Sequence, residues 1–343
     1  MMNTLLVVIL ALACIAATRS FSELREPPSP AVAPITTLLP KTLDRESWST
    51  QRETIRRQWL DILGPMPQRV GLNVQEISRE ELPDHVRVLI RYQNDAASTN
   101  EAYVLIPKNA AGKLPAMVCL HPTSKTTIAD PVGLANRESV HHALHLVRRG
   151  YICIAPRNYL WDVAGRSYQK SADDLLAGGK WKTGMAKMLW DAERAVDVLV
   201  ARDDVDPKRI GAIGHSLGGK ETLYLAGFDE RITAAISCEG GVGLSMGNWD
   251  ADWYLGKQIQ SPAFHHDNDE VLSLVAPRAI LIIGGESADG VKSWPYVDAC
   301  LPLWKMFGAE DRIGLLRHDL GHEFPHPGPQ RDLAYNWLDH WLK

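Results

Sequence analysis

Residues 210–219 read Ile210-Gly211-Ala212-Ile213-Gly214-His215-Ser216-Leu217-Gly218-Gly219. A short apolar run enters a tight G-x-S-x-G turn and continues into the helix-forming stretch Lys220-Glu221-Thr222-Leu223-Tyr224-Leu225. This is the grammar of a nucleophile elbow: a serine held between strand and helix has its hydroxyl lifted clear of the sheet. Gly214 and Gly218 supply the room the turn needs to close. The motif alone recurs by chance, so the flanking strand and helix matter as much as the glycines.

Outward from the elbow, other short apolar runs have the same character. Residues 116–120, 151–155, 232–237 and 279–283 are continuous and rich in β-branched or small residues, as strands buried on both faces are. Helical segments are expected between them at 134–149, 185–202, 218–226, 296–307 and 329–341. In the second, Leu189, Ala192, Val196, Leu199 and Val200 recur at helical spacing, so one face packs on a sheet. An amphipathic helix over 47–63, stopped by Gly64 and Pro65, comes first. Alternating segments at 72–77, 85–92 and 102–106 then predict antiparallel strands with one wet face. The whole reads as an α/β fold, a doubly wound, mainly parallel sheet with antiparallel N-terminal strands. Its reactive edge lies at the carboxyl ends of the strands.

The chain has 343 residues, 45% of them apolar and 23% charged, without repeats. That suits one large core, placed at residues 45–343. A net charge of -4 with no long basic run gives no electrostatic footprint for nucleic acid. Residues 1–20 carry an apolar run at 5–12 followed by Ala13, Ala16 and Ala17, the pattern of an export signal, although no lysine or arginine precedes it. The product is expected to be periplasmic or extracellular. Ala11-Leu12-Ala13-Cys14 is an imperfect lipoprotein box, which leaves a lipid anchor at Cys14 as the alternative and only membrane attachment. Pro27, Pro28, Pro30, Pro34 and Pro40 make residues 21–44 an extended spacer outside the fold. Cys119, Cys153 and Cys238 sit in apolar runs as buried thiols, and spacing does not establish pairing with each other or with Cys300.

A serine nucleophile needs a base, and the base needs an acid to fix its tautomer. Asp289 lies in the loop Gly284-Gly285-Glu286-Ser287-Ala288-Asp289-Gly290 after one strand, and His322 follows the apolar run at 313–316. Ser216, Asp289 and His322 therefore occur in the order serine, acid, histidine, with Glu286 as the alternative acid. The oxyanion donors expected are the N–H of Leu217 and one from Thr123, in the loop after the first buried strand, where Pro122 has no N–H to offer. His121, Arg157 and Lys220 fall at the reactive edge as candidate substrate contacts, against ordinary loop or structural roles. No metal site is expected. His265-His266-Asp267-Asn268-Asp269-Glu270 lacks a spaced partner, and His141 with His145 lacks the glutamate of H-E-x-x-H, so both read as solvated surface. Trp161, Trp181, Trp249, Trp253 and Trp294 fall between core elements, where a ring stacks on sugar or, more commonly, packs a loop.

Four stretches resemble the alpha/beta hydrolase superfamily, in its dienelactone hydrolase-like and acetyl xylan esterase-like branch. They are residues 118–123, 206–219, 276–283 and 321–325. The resemblance implies ester hydrolysis through an acyl-enzyme, without a cofactor. Dienelactone hydrolases proper place a cysteine where Ser216 stands. Lys220, four residues after the serine, is similar to the lysine of the G-x-S-R-x-G-K elbow of glucuronoyl esterases, whose arginine is replaced here by Leu217. A carbohydrate-linked ester is the substrate this implies. Two other readings remain open at this point: a serine peptidase of the prolyl oligopeptidase type, whose large gating domain this chain lacks, and an exported binding protein that keeps the fold without catalysis.

Overall fold

The computed structural model describes residues 21–40, 44–108, 111–163 and 165–343. The segment read as an export signal, Cys14 included, lies outside the described residues. Among those described, no helix is long and apolar enough to cross a membrane.

Among the described residues, nine strands form one sheet: β1 Gln75–Glu81, β2 His85–Gln93, β3 Thr99–Pro107, β4 Leu114–Leu120, β5 Ile152–Pro156, β6 Val205–His215, β7 Ile232–Cys238, β8 Ala279–Gly284 and β9 Ile313–Arg317. Their order across the sheet is β1-β2-β3-β5-β4-β6-β7-β8-β9. The first three pair antiparallel, β3 pairs antiparallel with β5, and every pairing from β5 to β9 is parallel. The expected α/β fold with antiparallel N-terminal strands is therefore present. The helices are α1 Arg45–Leu63, α2 His142–Arg148, α3 Tyr168–Ala177, α4 Gly184–Val200, α5 Leu217–Phe228, α6 Asn268–Ser273, α7 Trp294–Phe307 and α8 Pro329–Leu342.

Strand residues alternate between two hydrophobic cores. Val118, Ala212 and Ile282 face a layer with Trp59 of α1, Leu189 of α4, Leu223 of α5 and Trp304 of α7. Their neighbours Cys119, Ile213 and Ile283 face Leu146 of α2 and Leu338 of α8. A period of two in the strands thus feeds helices on both faces, which is why the parallel strands are uninterruptedly apolar. Caps fix the helix starts: the Asp44 carboxylate accepts from the N–H of Ser47 at 2.8 Å ahead of α1, and the Thr183 hydroxyl accepts from Ala186 at 3.1 Å ahead of α4.

Three sequence expectations shift. The helix placed at 134–149 shortens to α2, since its first half forms a bend and the short 3-10 helix Glu138–Val140. Helices α3 and α6 fall in segments the sequence left as loops. The spacer is not outside the fold: Phe21 and Leu24 are buried against the α8 side of the sheet and Leu39 against the α1 side. Proline forbids a regular helix there, but it does not stop a strap from burying the apolar residues between the prolines.

Candidate active site

The central strand β6 delivers Ser216 at the first turn of α5. Its backbone stands at φ 59°, ψ −115°, a region an L-residue enters at a cost of about 1–3 kcal/mol. Close approach explains the glycines on either side. A Cβ on Gly214 would lie 2.2 Å from the Gly218 carbonyl oxygen, and one on Gly218 would lie 2.2 Å from the Leu120 carbonyl oxygen. The elbow is therefore clamped against the end of β4, and the Ser216 N–H donates to the Cys238 carbonyl at the end of β7, 2.8 Å away.

The loop after β9 brings His322 back over the elbow, with Nε2 2.8 Å from Ser216 Oγ. Three contacts hold that loop. Arg137 donates to the His322 carbonyl at 3.3 Å and to the Glu323 carboxylate at 2.9 Å, and the Ser139 hydroxyl donates to the same carboxylate at 3.0 Å. The buried ring of His215 packs against that of His322 with centroids 5.0 Å apart.

The carboxylate at the other ring nitrogen is Glu239, 3.1 Å from His322 Nδ1. It is neither Asp289 nor Glu286, the two acids the sequence reading offered. Glu239 is fully buried, one residue beyond β7, and its backbone is also forced to positive φ, 50°. Burial pushes its carboxyl up, but the His322 bond and N–H donors from Gly285, Ala288 and Asp289 outweigh that and hold it below the ordinary glutamate value. The loop expected to supply the acid thus supplies donors to it. Asp289 faces away from the imidazole, accepting from the N–H of Gly241 at 2.7 Å, the N–H of Val242 at 2.8 Å and the Ser293 hydroxyl at 2.8 Å. Burial raises its pKa. Glu286 accepts from the N–H of Val291 at 2.9 Å and is exposed. The physical reason is the strand order: β7 lies between β6 and β8, so a carboxylate just past β7 reaches the imidazole first. The signal was an acid directly after a buried strand and ahead of Gly240-Gly241, the same grammar that marked Ser216.

Ser216, His322 and Glu239 open into a cavity of about 520 Å³ that is also lined by Thr123, Lys220 and Tyr254. Leu217 is the first residue of α5, so its N–H has no acceptor within the helix. Lys220 is buried, donates to the Gly240 carbonyl, and sits 4.6 Å from the Trp249 ring centroid and 5.4 Å from that of Tyr254. Burial brings its pKa down to about 8, against the opposing pull of Asp289 and Glu239. Two expected contacts are not at this cavity. His121 is buried with Nδ1 2.8 Å from the Pro122 carbonyl, while Nε2 accepts from the Asn158 N–H at 3.2 Å; burial holds it neutral, with its pKa lowered to about 4. Arg157 pairs with Glu101 at 3.2 Å and lines a different hollow.

The acidic run at 265–270 is not solvated surface. Asn268, Asp269 and Glu270 are buried, Glu270 accepts from Trp59 Nε1 at 2.8 Å and meets His266 Nδ1 at 2.7 Å, and Asp267 accepts from the Leu244 N–H at 2.8 Å. Nor is the His141 and His145 pair free surface, since His145 Nδ1 meets the Tyr335 hydroxyl at 2.9 Å and its Nε2 pairs with Glu138 at 3.1 Å. Trp181, Trp249 and Trp294 are core residues, whereas Trp161 and Trp253 are half-buried. The described cysteines are buried free thiols.

A serine hydroxyl, an imidazole and an ionised carboxylate in hydrogen-bonded series, at the carboxyl edge of a mainly parallel sheet, define the alpha/beta hydrolase class. Residues 101–273 match the Dienelactone hydrolase family, and the chain belongs to that family. A Bacillus subtilis (strain 168) protein, the provisionally named hydrolase YtaP, is 26% identical over 240 residues, covering 67% of this chain and 79% of that one. The 4-O-methyl-glucuronoyl methylesterase 1 of Sodiomyces alcalophilus is 25% identical over 173 residues, which are 41% of this chain and 34% of that protein. The fold is shared with a glucuronoyl esterase from Solibacter usitatus at a TM-score of 0.69 and 20% identity, covering 92% of this chain and 99% of the other.

Proposed function

We propose that this protein is a serine carboxylic ester hydrolase acting on a carbohydrate-linked ester, with Ser216 as nucleophile, His322 as base and Glu239 as the acid that orients it. The observation that carries the reading is the continuous series Ser216 Oγ, His322 and Glu239, at 2.8 Å and 3.1 Å. His322 Nε2 takes the hydroxyl proton as Oγ adds to the ester carbonyl carbon, and the oxygen that becomes negative accepts from the Leu217 N–H and a donor at Thr123. Collapse expels the alcohol, which takes the proton from the imidazolium and leaves an acyl-Ser216. Water then adds with His322 again as base, and the carboxylic acid leaves with Ser216 restored. Glu239, kept ionised, stabilises the imidazolium at each addition.

Relatives named for glucuronoyl esters and the position of Lys220 support a sugar-borne ester. Its ammonium sits against two aromatic rings and is placed to donate to a hydroxyl or an anionic group of the substrate. An export signal in residues 1–20 would bring the enzyme to polysaccharide outside the cytoplasm.

Ser216→Ala is expected to abolish hydrolysis of acetylated xylan, methyl glucuronate and aryl acetate while moving the thermal midpoint by about 2 °C at most, since one exposed-side hydroxyl is removed. Turnover that survives in the purified variant contradicts the nucleophile assignment. A peptide amide assayed beside these esters separates the peptidase reading, and the ester cleaved fastest identifies acyl group and alcohol.

A further inference from the structure

A second hollow of about 680 Å³ opens on the same edge of the sheet as Ser216. Lys125 reaches it from the loop after β4, Arg157 from the residue directly after β5, Arg166 from the loop ahead of α3 and Tyr168 from the first residue of α3. Trp161 and Thr127 also line it. Lys125 lies two residues after Thr123 of the Ser216 cavity, and Trp161 packs edge-on to the buried His121 ring at 5.1 Å, so the two hollows are neighbours with no lining residue in common.

The chemistry of this lining is one-sided. Among the described residues, three cations line the hollow and no carboxylate does. Arg157 is bound to Glu101 at 3.2 Å and Arg166 to Asp174 at 2.8 Å, both of which lie behind the lining and hold the guanidinium groups in place. Lys125 is exposed and has no ion-pair partner among the described residues. The rings of Trp161 and Tyr168 meet edge to face at 5.1 Å and are half-buried, so each keeps a surface toward solvent. Arg157 also donates to the Thr127 hydroxyl at 3.2 Å, leaving that hydroxyl's own proton for a ligand. Guanidinium forks match carboxylates, flat rings match the apolar face of a pyranose, and hydroxyls match its rim.

We propose that this hollow is a binding site for a carboxylate-bearing sugar residue, separate from the cavity in which the ester is cleaved. Under the esterase reading it would anchor an acidic unit of the same polysaccharide, and binding itself does not depend on that reading. An anchored chain raises the local concentration of its ester at Ser216.

The test is calorimetric titration of the wild-type protein with two ester-free oligosaccharides, a xylo-oligosaccharide carrying glucuronic acid and its neutral counterpart, with benzoate as an aromatic carboxylate. The acidic oligosaccharide is expected to bind at least about tenfold more tightly than the neutral one and than benzoate. Lys125→Glu with Arg166→Glu is expected to remove that preference while aryl acetate hydrolysis is unchanged, and Lys292→Ala, at the Ser216 cavity, is expected to leave binding intact. Equal binding of acidic and neutral sugars, tighter binding of benzoate, no binding at all, or loss only in Lys292→Ala overturns the proposal. Because no ligand carries an ester, a failure here is distinct from a failure of the esterase reading, which the Ser216→Ala assay decides.

Discussion

Glu239 and Asp289 are two buried carboxylates serving one loop pair in opposite directions. Glu239 takes N–H donors from the loop after β8 and turns to His322, while Asp289, in that loop, takes N–H donors from the loop after β7. Glu239→Gln keeps the size but replaces the charge that stabilises the imidazolium, so kcat is expected to fall about 10³–10⁴-fold. In Asp289→Asn the amide accepts from only one of Gly241 and Val242, leaving a buried donor unpaired at about 1–3 kcal/mol. Its thermal midpoint is expected to fall by a few degrees with kcat within about tenfold of wild type. The reverse ranking of kcat in the two variants would return the acid role to Asp289. Lys220 supplies a pH signature. With its pKa near 8, it is charged below that pH and neutral above, so KM is expected to rise about tenfold as pH passes upward through 8. Lys220→Met is expected to show the high KM at pH 7 and no further rise; a parallel rise in the variant would assign it to another group.

At the scale of elements, legibility followed the pattern of burial. The parallel strands were plain in the sequence because both faces are covered, so each appears as a short unbroken apolar run. The strand β1 was placed at 72–77 but forms at Gln75–Glu81, since all its residues are exposed and only pairing with β2 fixes where it begins. The elbow was legible for a local reason: strand, glycines, serine and helix are contiguous. His322 was legible through its place after the last apolar run. The acid was not, because two neighbouring strands each end in a loop with a carboxylate, and the choice depends on which loop the imidazole leans toward. His121 and Arg157 were misplaced for a related reason. Both follow buried strands, but β5 lies on the far side of β4 from β6, so Arg157 opens into the neighbouring hollow and His121 is spent joining the two loops.

At the scale of the molecule, the sheet ends at β9, whose outer edge has no strand partner among the described residues, and β9 is the strand that leads to His322. The proline-rich segment is what covers this end. Leu24 is 3% exposed, and its Cβ lies 2.8 Å from where a side chain on Gly314 of β9 would begin, so the glycine is the seat that admits it. Phe21 meets the His340 ring of α8 edge-on at 5.4 Å. A strap anchored this way stabilises the strand carrying the base's loop without touching the reacting atoms. Leu24→Ala is expected to cost about 2–3 kcal/mol from lost burial and the cavity left behind. That corresponds to a thermal midpoint lowered by roughly 5 °C or more. At 25 °C, kcat on an aryl acetate is expected to hold near the wild-type value, because β9 remains paired with β8 along its other edge. With a lowered midpoint the proline-rich segment belongs to the folded unit; an unchanged midpoint would return it to the role of a loose leader that merely rests on the sheet.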